Sequence, residues 1–178
     1  MQGGHSKATE GDLVRLLKTG SQVAFREFVE RHQSRVFKVT CGILGSRQAA
    51  DEVAQRVFVK VHCSIQRFDG RYSLVAWLHR IAVNESYSFL RNKRPELSRE
   101  DGSARELVNR LLERIPEDDR HLLLMKELEG YSVADLSEAT GVNEGAIRLR
   151  LFRTRQRLAR AAAESSTNSL ANPPLGDL

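Results

Sequence analysis

The chain has 178 residues, 40% hydrophobic and 29% charged, which is enough apolar material for one moderate core or two small ones and argues against a disordered or membrane class. Lys and Arg outnumber Asp and Glu by 28 to 23, and the resulting net charge of +5 suits a polyanionic partner without requiring one. No run approaches the roughly 18 apolar residues of a membrane span, and Met1 to Lys7 lacks the apolar segment of a secretory signal, so a soluble, cytoplasmic chain is expected.

Residues 1–9 read as a flexible N-terminus. Glu10 to Lys18 then reads as a short helix with Leu13, Leu16 and Leu17 on one face and Gly20 beyond its end. Ser21 is placed to cap a longer helix, in which Val23, Phe25, Phe28, Val29, Val36, Phe37, Val39, Ile43 and Leu44 recur at helical spacing before Gly45. Ser46 opens a third, with Ala50, Val53, Val57, Val61 and Ile65 forming a stripe that ends at Phe68-Asp69-Gly70-Arg71-Tyr72. A fourth starts at Ser73, carries Leu74, Trp77, Leu78, Ile81, Phe89 and Leu90, and ends in the basic run Arg91-Asn92-Lys93-Arg94 before Pro95. Cys41 and Cys63 lie in apolar-periodic segments without metal-ligand spacing, so both are expected as buried small hydrophobes, with no metal site and no cofactor.

Residues 10–94 thus form one helical domain, and 95–103, with Pro, Gly and charges but no apolar period, read as a linker. A second domain spans 104–164. Its first helix, Ala104 to Ile115, places Leu107, Val108, Leu111, Leu112 and Ile115 inward, and Pro116 opens the next helix, which carries Glu117, Asp118 and Asp119 at its positive end and stops at Gly130. Residues 165–178 read as a disordered tail. The fold class is all-α, two small helical domains joined by a short linker.

Within the second domain, Ser132 caps a helix with Val133, Leu136 and Ala139 inward, Gly141-Val142-Asn143 makes a tight turn, and Asn143 caps the last helix: a helix-turn-helix. Ile147, Leu151 and Leu158 share one face of that helix, while Arg148, Leu149, Phe152, Arg153, Arg155 and Gln156 project away, with Arg150 beside them. Six arginines and no acid lie between Gly145 and Ala163, a field that calls for a polyanion as countercharge. Arginine forks onto phosphates or onto guanine in the major groove. An exposed Phe152 could meet a thymine methyl, although an aromatic at helical spacing is more often core.

The stretch from Gly130 to Leu158, with Leu112-Glu-Arg-Ile-Pro-Glu-Asp-Asp-Arg120 before it, resembles the −35-binding domain of extracytoplasmic-function (ECF) sigma factors of the sigma-70 family. Asp51-Glu-Val-Ala-Gln-Arg-Val-Phe-Val-Lys60 resembles their polymerase-docking helix, and Phe68 to Asn84 resembles their −10 segment. The resemblance implies that Asp51, Glu52, Gln55 and Arg56 meet core RNA polymerase, with Arg56 standing where the family usually has an acid. It implies that Phe68 contacts the −10 element and that Asp69, Gly70, Arg71 and Tyr72 form a pocket for a flipped base. Arg80, Asn84, Arg91, Lys93 and Arg94 are implied to contact the −10 region, and Trp77 to be core. Ser88, Phe89 and Leu149 are further departures from the usual pattern. Promoter DNA, core polymerase and an anti-sigma factor are the implied partners, with no small-molecule substrate.

The residues taken alone also admit a plain helix-turn-helix repressor or activator, or an arginine face that binds an acidic protein. An enzyme has little support, because His5, His32, His62, His79 and His121 are scattered and no HExxH, GxSxG or phosphate-loop motif occurs.

Overall fold

The computed structural model describes residues 9–97 and 104–171, with backbone alone over 93–97 and 165–171. Its elements are α1 (Glu10–Lys18), α2 (Gln22–Leu44), α3 (Arg47–Ser64), a 3₁₀ turn (Ile65–Arg67), α4 (Leu74–Leu97), α5 (Ala104–Glu113), α6 (Glu117–Glu129), α7 (Val133–Thr140) and α8 (Glu144–Ala171). Among the described residues there is no strand, and no helix is long and apolar enough to cross a membrane. The main division of the chain falls between Lys93 and Arg94, leaving α1 to α3 and most of α4 in one compact unit and α5, α6 and α8 in another. The expectations for residues 1–8, 98–103 and 172–178 lie outside the described residues.

Two helices overrun their expected ends. α8 enters the expected tail as far as Ala171, because Ala159, Ala161, Ala162 and Ala163 propagate an already formed helix at one hydrogen bond per residue. α4 passes Pro95 and ends two residues later, at Leu97.

In the first unit, Thr9 caps α1 by accepting from the Asp12 N–H at 3.2 Å, and Ser21 caps α2 by accepting from Ala24 at 3.3 Å. Gly45 closes α2 in the left-handed region at φ 73°, where a side chain would be strained. α2 packs along α3, and the fully buried Thr40 hydroxyl donates to the Ala50 carbonyl of α3 at 3.2 Å. The buried stripe of α2 runs Ala24, Phe28, His32, Val36. His32 occupies an i+4 step of that stripe, so counting only apolar residues set the face slightly wrong: Val23 is 77% exposed. Leu16 is likewise outside, while Leu13 and Leu17 are buried. Cys63 is exposed and Cys41 half-buried, against the expectation for both, because the stripe through Val53, Val57 and Val61 turns Cys63 outward.

α4 is anchored at its start by two acceptors. Ser73 Oγ receives the Ala76 N–H at 3.1 Å, and Glu10 Oε1, from α1, receives the Leu74 N–H at 2.8 Å. A carboxylate there meets the positive end of the helix dipole, an arrangement that no local sequence signal announces.

The second unit packs α5, α6 and α8 around Leu111, Leu112, Ile115, Leu122, Leu123, Leu124, Met125, Ile147 and Leu151. α6 is buried without interruption from Arg120 to Met125, so it is the central helix rather than an amphipathic surface one. Pro116 sits one position earlier than expected, at the cap of α6, and Val108 faces outward at 50% exposure.

Candidate nucleic-acid interface

α7 begins with a reciprocal cap: Ser132 Oγ accepts from the Asp135 N–H at 3.1 Å, and Asp135 Oδ2 accepts from the Ser132 N–H at 2.8 Å. These bonds from Ser132 hold the Asp135 carboxyl below its usual range. The turn to α8 contains Gly141 at φ 70°, and Asn143 Oδ1 then caps α8 by accepting from the Ala146 N–H at 2.9 Å. Both helix starts follow from residues adjacent in sequence.

α8 buries Ile147, Leu151 and Thr154, the last bonding to the Arg150 carbonyl at 2.8 Å; Leu158 is half-buried. Opposite them Arg148, Leu149, Phe152, Arg153, Arg155 and Gln156 are all exposed, so Phe152 is not core. The arginines, however, are not an uncompensated field. Arg148 pairs with Glu144 at 2.5 Å, Arg155 with Glu127 at 2.8 Å, and Arg150 and Arg157 with the nearly buried Asp119 at 2.6 and 3.6 Å.

Asp119 and Glu127 belong to α6, outside any window on α8, which is why the local charge count missed them. Arg150 is therefore a brace between helices, part-buried and held by Asp119, rather than a freely presented reader. Exposed pairs of this kind contribute about 0–1 kcal/mol each, so Arg148 and Arg155 can exchange an internal carboxylate for a phosphate at little loss. No ion pair holds Arg153 among the described residues.

In the first unit, Asp69 to Tyr72 form an exposed loop. Asp69 Oδ1 accepts from the Arg71 N–H at 3.1 Å, its Oδ2 pairs with Arg71 Nε at 3.0 Å, and Gly70 takes φ 75° between them. Tyr72 is 38% exposed. Phe68 instead lies in the core, its ring centroid 5.2 Å from that of Trp77, and its carbonyl accepts from Lys18 Nζ at 2.7 Å. It anchors the base of the loop and presents no face to a ligand. Arg80 and Asn84 are half-buried and already engaged within the protein, whereas Arg91 is exposed. The side chains of Lys93 and Arg94 lie outside the described residues.

Asp51, Glu52, Gln55 and Arg56 are all exposed on α3. Arg56 is used internally: it pairs with Glu52 at 2.5 Å, and its guanidinium lies 5.5 Å from the Phe89 ring centroid of α4. The acidic row is thus partly neutralised by its own helix. Among the described residues no group of three or more His, Cys, Asp or Glu side chains is arranged to hold a metal ion.

A helix-turn-helix with an exposed arginine-flanked face, following a separate helical unit, has the architecture of a DNA-binding transcription factor. The Sigma-70 region 2 family model matches residues 28–96, and the Sigma-70, region 4 model matches residues 105–158. The chain is 30% identical to the ECF RNA polymerase sigma-E factor of Haemophilus influenzae over 175 residues, covering 83% of this chain and 92% of that one. The Escherichia coli K12 sigma-E factor is 29% identical, with 83% and 91% covered, and the RNA polymerase sigma-H factor of Pseudomonas aeruginosa is 27% identical, with 84% and 91% covered. A solved structure of CnrH in complex with the cytosolic domain of CnrY is similar at a TM-score of 0.54 and 25% identity, covering 87% of this chain and 97% of that one. The chain belongs to the ECF sigma factors of the sigma-70 family. It is a promoter-recognising transcription initiation factor for RNA polymerase and not an enzyme.

Proposed function

We propose that the two units divide the work of promoter recognition along residues 10–94 and 104–164, joined by a linker over 95–103. The exposed face of α8 carries this reading: Arg148, Leu149, Phe152, Arg153, Arg155 and Gln156 stand opposite the buried Ile147, Leu151 and Thr154, in a helix capped and turned for a major groove. This face takes the −35 element. Arg150 contributes by holding α8 to α6.

In the first unit Asp51, Glu52 and Gln55 offer acceptors to a basic surface of core polymerase. Asp69, Gly70, Arg71 and Tyr72 accept an unstacked base of the −10 element, and Arg80, Asn84, Arg91, Lys93 and Arg94 lie along the promoter strand. An anti-sigma factor restrains the chain by covering these surfaces; the complex of the similar CnrH with the cytosolic domain of CnrY supports a protein partner. The working compartment is the cytoplasm.

The test is reconstitution. The full chain is expected to bind core RNA polymerase and direct transcription from a subset of promoters in vitro. Failure to bind core polymerase, together with tight binding to an operator duplex alone, overturns the reading.

A further inference from the structure

The exposed face of α8 is not uniformly basic. Gly145, Leu149, Phe152 and Gln156 follow one another at i, i+4, i+7 and i+11, so they lie on a single line along the helix. Arg148 and Arg155 run along one side of that line, and Arg153 and Arg160 along the other, each pair seven residues apart. On a helix lying in a major groove, the two flanks face the phosphate walls and the central line faces the base edges.

The centre of this line is apolar and exposed: Leu149 is 47% and Phe152 57% accessible, although each could bury about 1.5–3 kcal/mol worth of surface elsewhere. Neither side chain can donate or accept a hydrogen bond, so neither can read a donor–acceptor pattern. The one apolar feature that a base pair shows in the major groove is the C5-methyl group of thymine. The positive flanks point to a polyanion as the partner of this face, and the apolar strip then requires a polyanion with methyl groups at its base edges.

We propose that Leu149, supported by Phe152 one turn further on, is a specificity-determining residue that selects thymine at the −35 element by packing on its C5-methyl group. This rests on the assignment of α8 to the −35 element made above. Gly145, with no side chain, lets the adjoining bases approach the helix backbone.

The experiment uses the holoenzyme of full chain and core polymerase. A promoter library randomised over the −35 element is selected for binding, and each thymine of the preferred sequence is then replaced by deoxyuridine, which removes only the methyl group. At one or two positions the replacement is expected to weaken binding about three- to fivefold, the effect of unburying one methyl group. In Leu149→Ala the same replacement has no effect at the position that Leu149 reads, while binding through the arginine flanks persists. Equal binding of thymine and deoxyuridine at every position, or an undiminished penalty at every position in Leu149→Ala, overturns the methyl contact while leaving −35 binding itself intact. A holoenzyme that selects no −35 sequence at all removes the base-reading role of α8, and this proposal with it.

Discussion

α3 and α8 both turn a charged face outward, yet the charges are balanced in different ways. On α3 the compensation is local: Arg56 reaches back one turn to Glu52 and lies against Phe89. On α8 most of it comes from another helix, with Asp119 and Glu127 of α6 receiving Arg150, Arg157 and Arg155. A one-turn pair tunes a single side chain, whereas a pair between helices also fixes how the helix is seated. The face of α8 is therefore held as a unit, and its seating depends on the acids of α6.

The hardest way to break this comparison is to unseat α8. Ile147→Ala, at a fully buried position, is expected to destabilise the second unit by about 2–5 kcal/mol, read as a lower urea midpoint. Promoter selection at −35 should fail while core polymerase still binds through the first unit. Loss of both activities together would show that the units do not work separately.

Asp119→Ala leaves Arg150 and Arg157 without their shared acceptor and is expected to remove about 1–3 kcal/mol of stability. Glu127→Ala breaks only the exposed pair with Arg155 and should change stability by less than about 1 kcal/mol. Equal thermal shifts in the two variants would contradict the distinction between a brace and a surface pair.

For DNA, Arg153→Ala, on a flank that faces the phosphates, is expected to weaken binding of all −35 sequences alike, to lower the salt slope by about 1, and to cost more than Arg150→Ala at matched stability. Competition binding with promoter fragments separates them.

The first unit carries a pH dependence of its own. Burial, and then the nearby Arg35 and Arg31, lower the His32 pKa from 6.5 to about 4, so the folded state holds this ring neutral. Below 6.5 the unfolded chain takes up the proton more readily, so stability present above that pH is lost as the pH falls toward about 4. His32→Gln should flatten the slope of urea midpoint against pH across this window. An unchanged slope would show that another group governs it.

The smallest effect belongs to α3. Arg56→Gln frees Glu52 and is expected to change fold stability by less than about 1 kcal/mol while raising affinity for core polymerase. Weaker docking would mean that Arg56 itself makes the contact.

Much of this molecule was legible in residues close together in the chain. Ser21, Ser46, Ser132 and Asn143 mark helix starts, and Gly45 and Gly130 mark helix ends, because caps are satisfied within a few residues. The stripe of α3 and the buried line of α8 follow from helical period, and the resemblance to ECF sigma factors rested on motifs of the same local kind. Val23, Val108 and Cys63 were misplaced because apolar character alone does not say which side of a helix its neighbours will cover.

By itself, then, the sequence determined the all-helical class, the helix-turn-helix and the order of the two sigma-70 regions. Only the tertiary structure decided that Phe68 is core, that Arg150 braces α8, that Glu10 caps α4 and that the strip between the arginine flanks is apolar and exposed. The reason is range: caps and periods are set within about one or two helical turns, whereas an ion pair to Asp119 or a bond to Glu10 spans 31 or 64 residues of chain and exists only once the helices have packed.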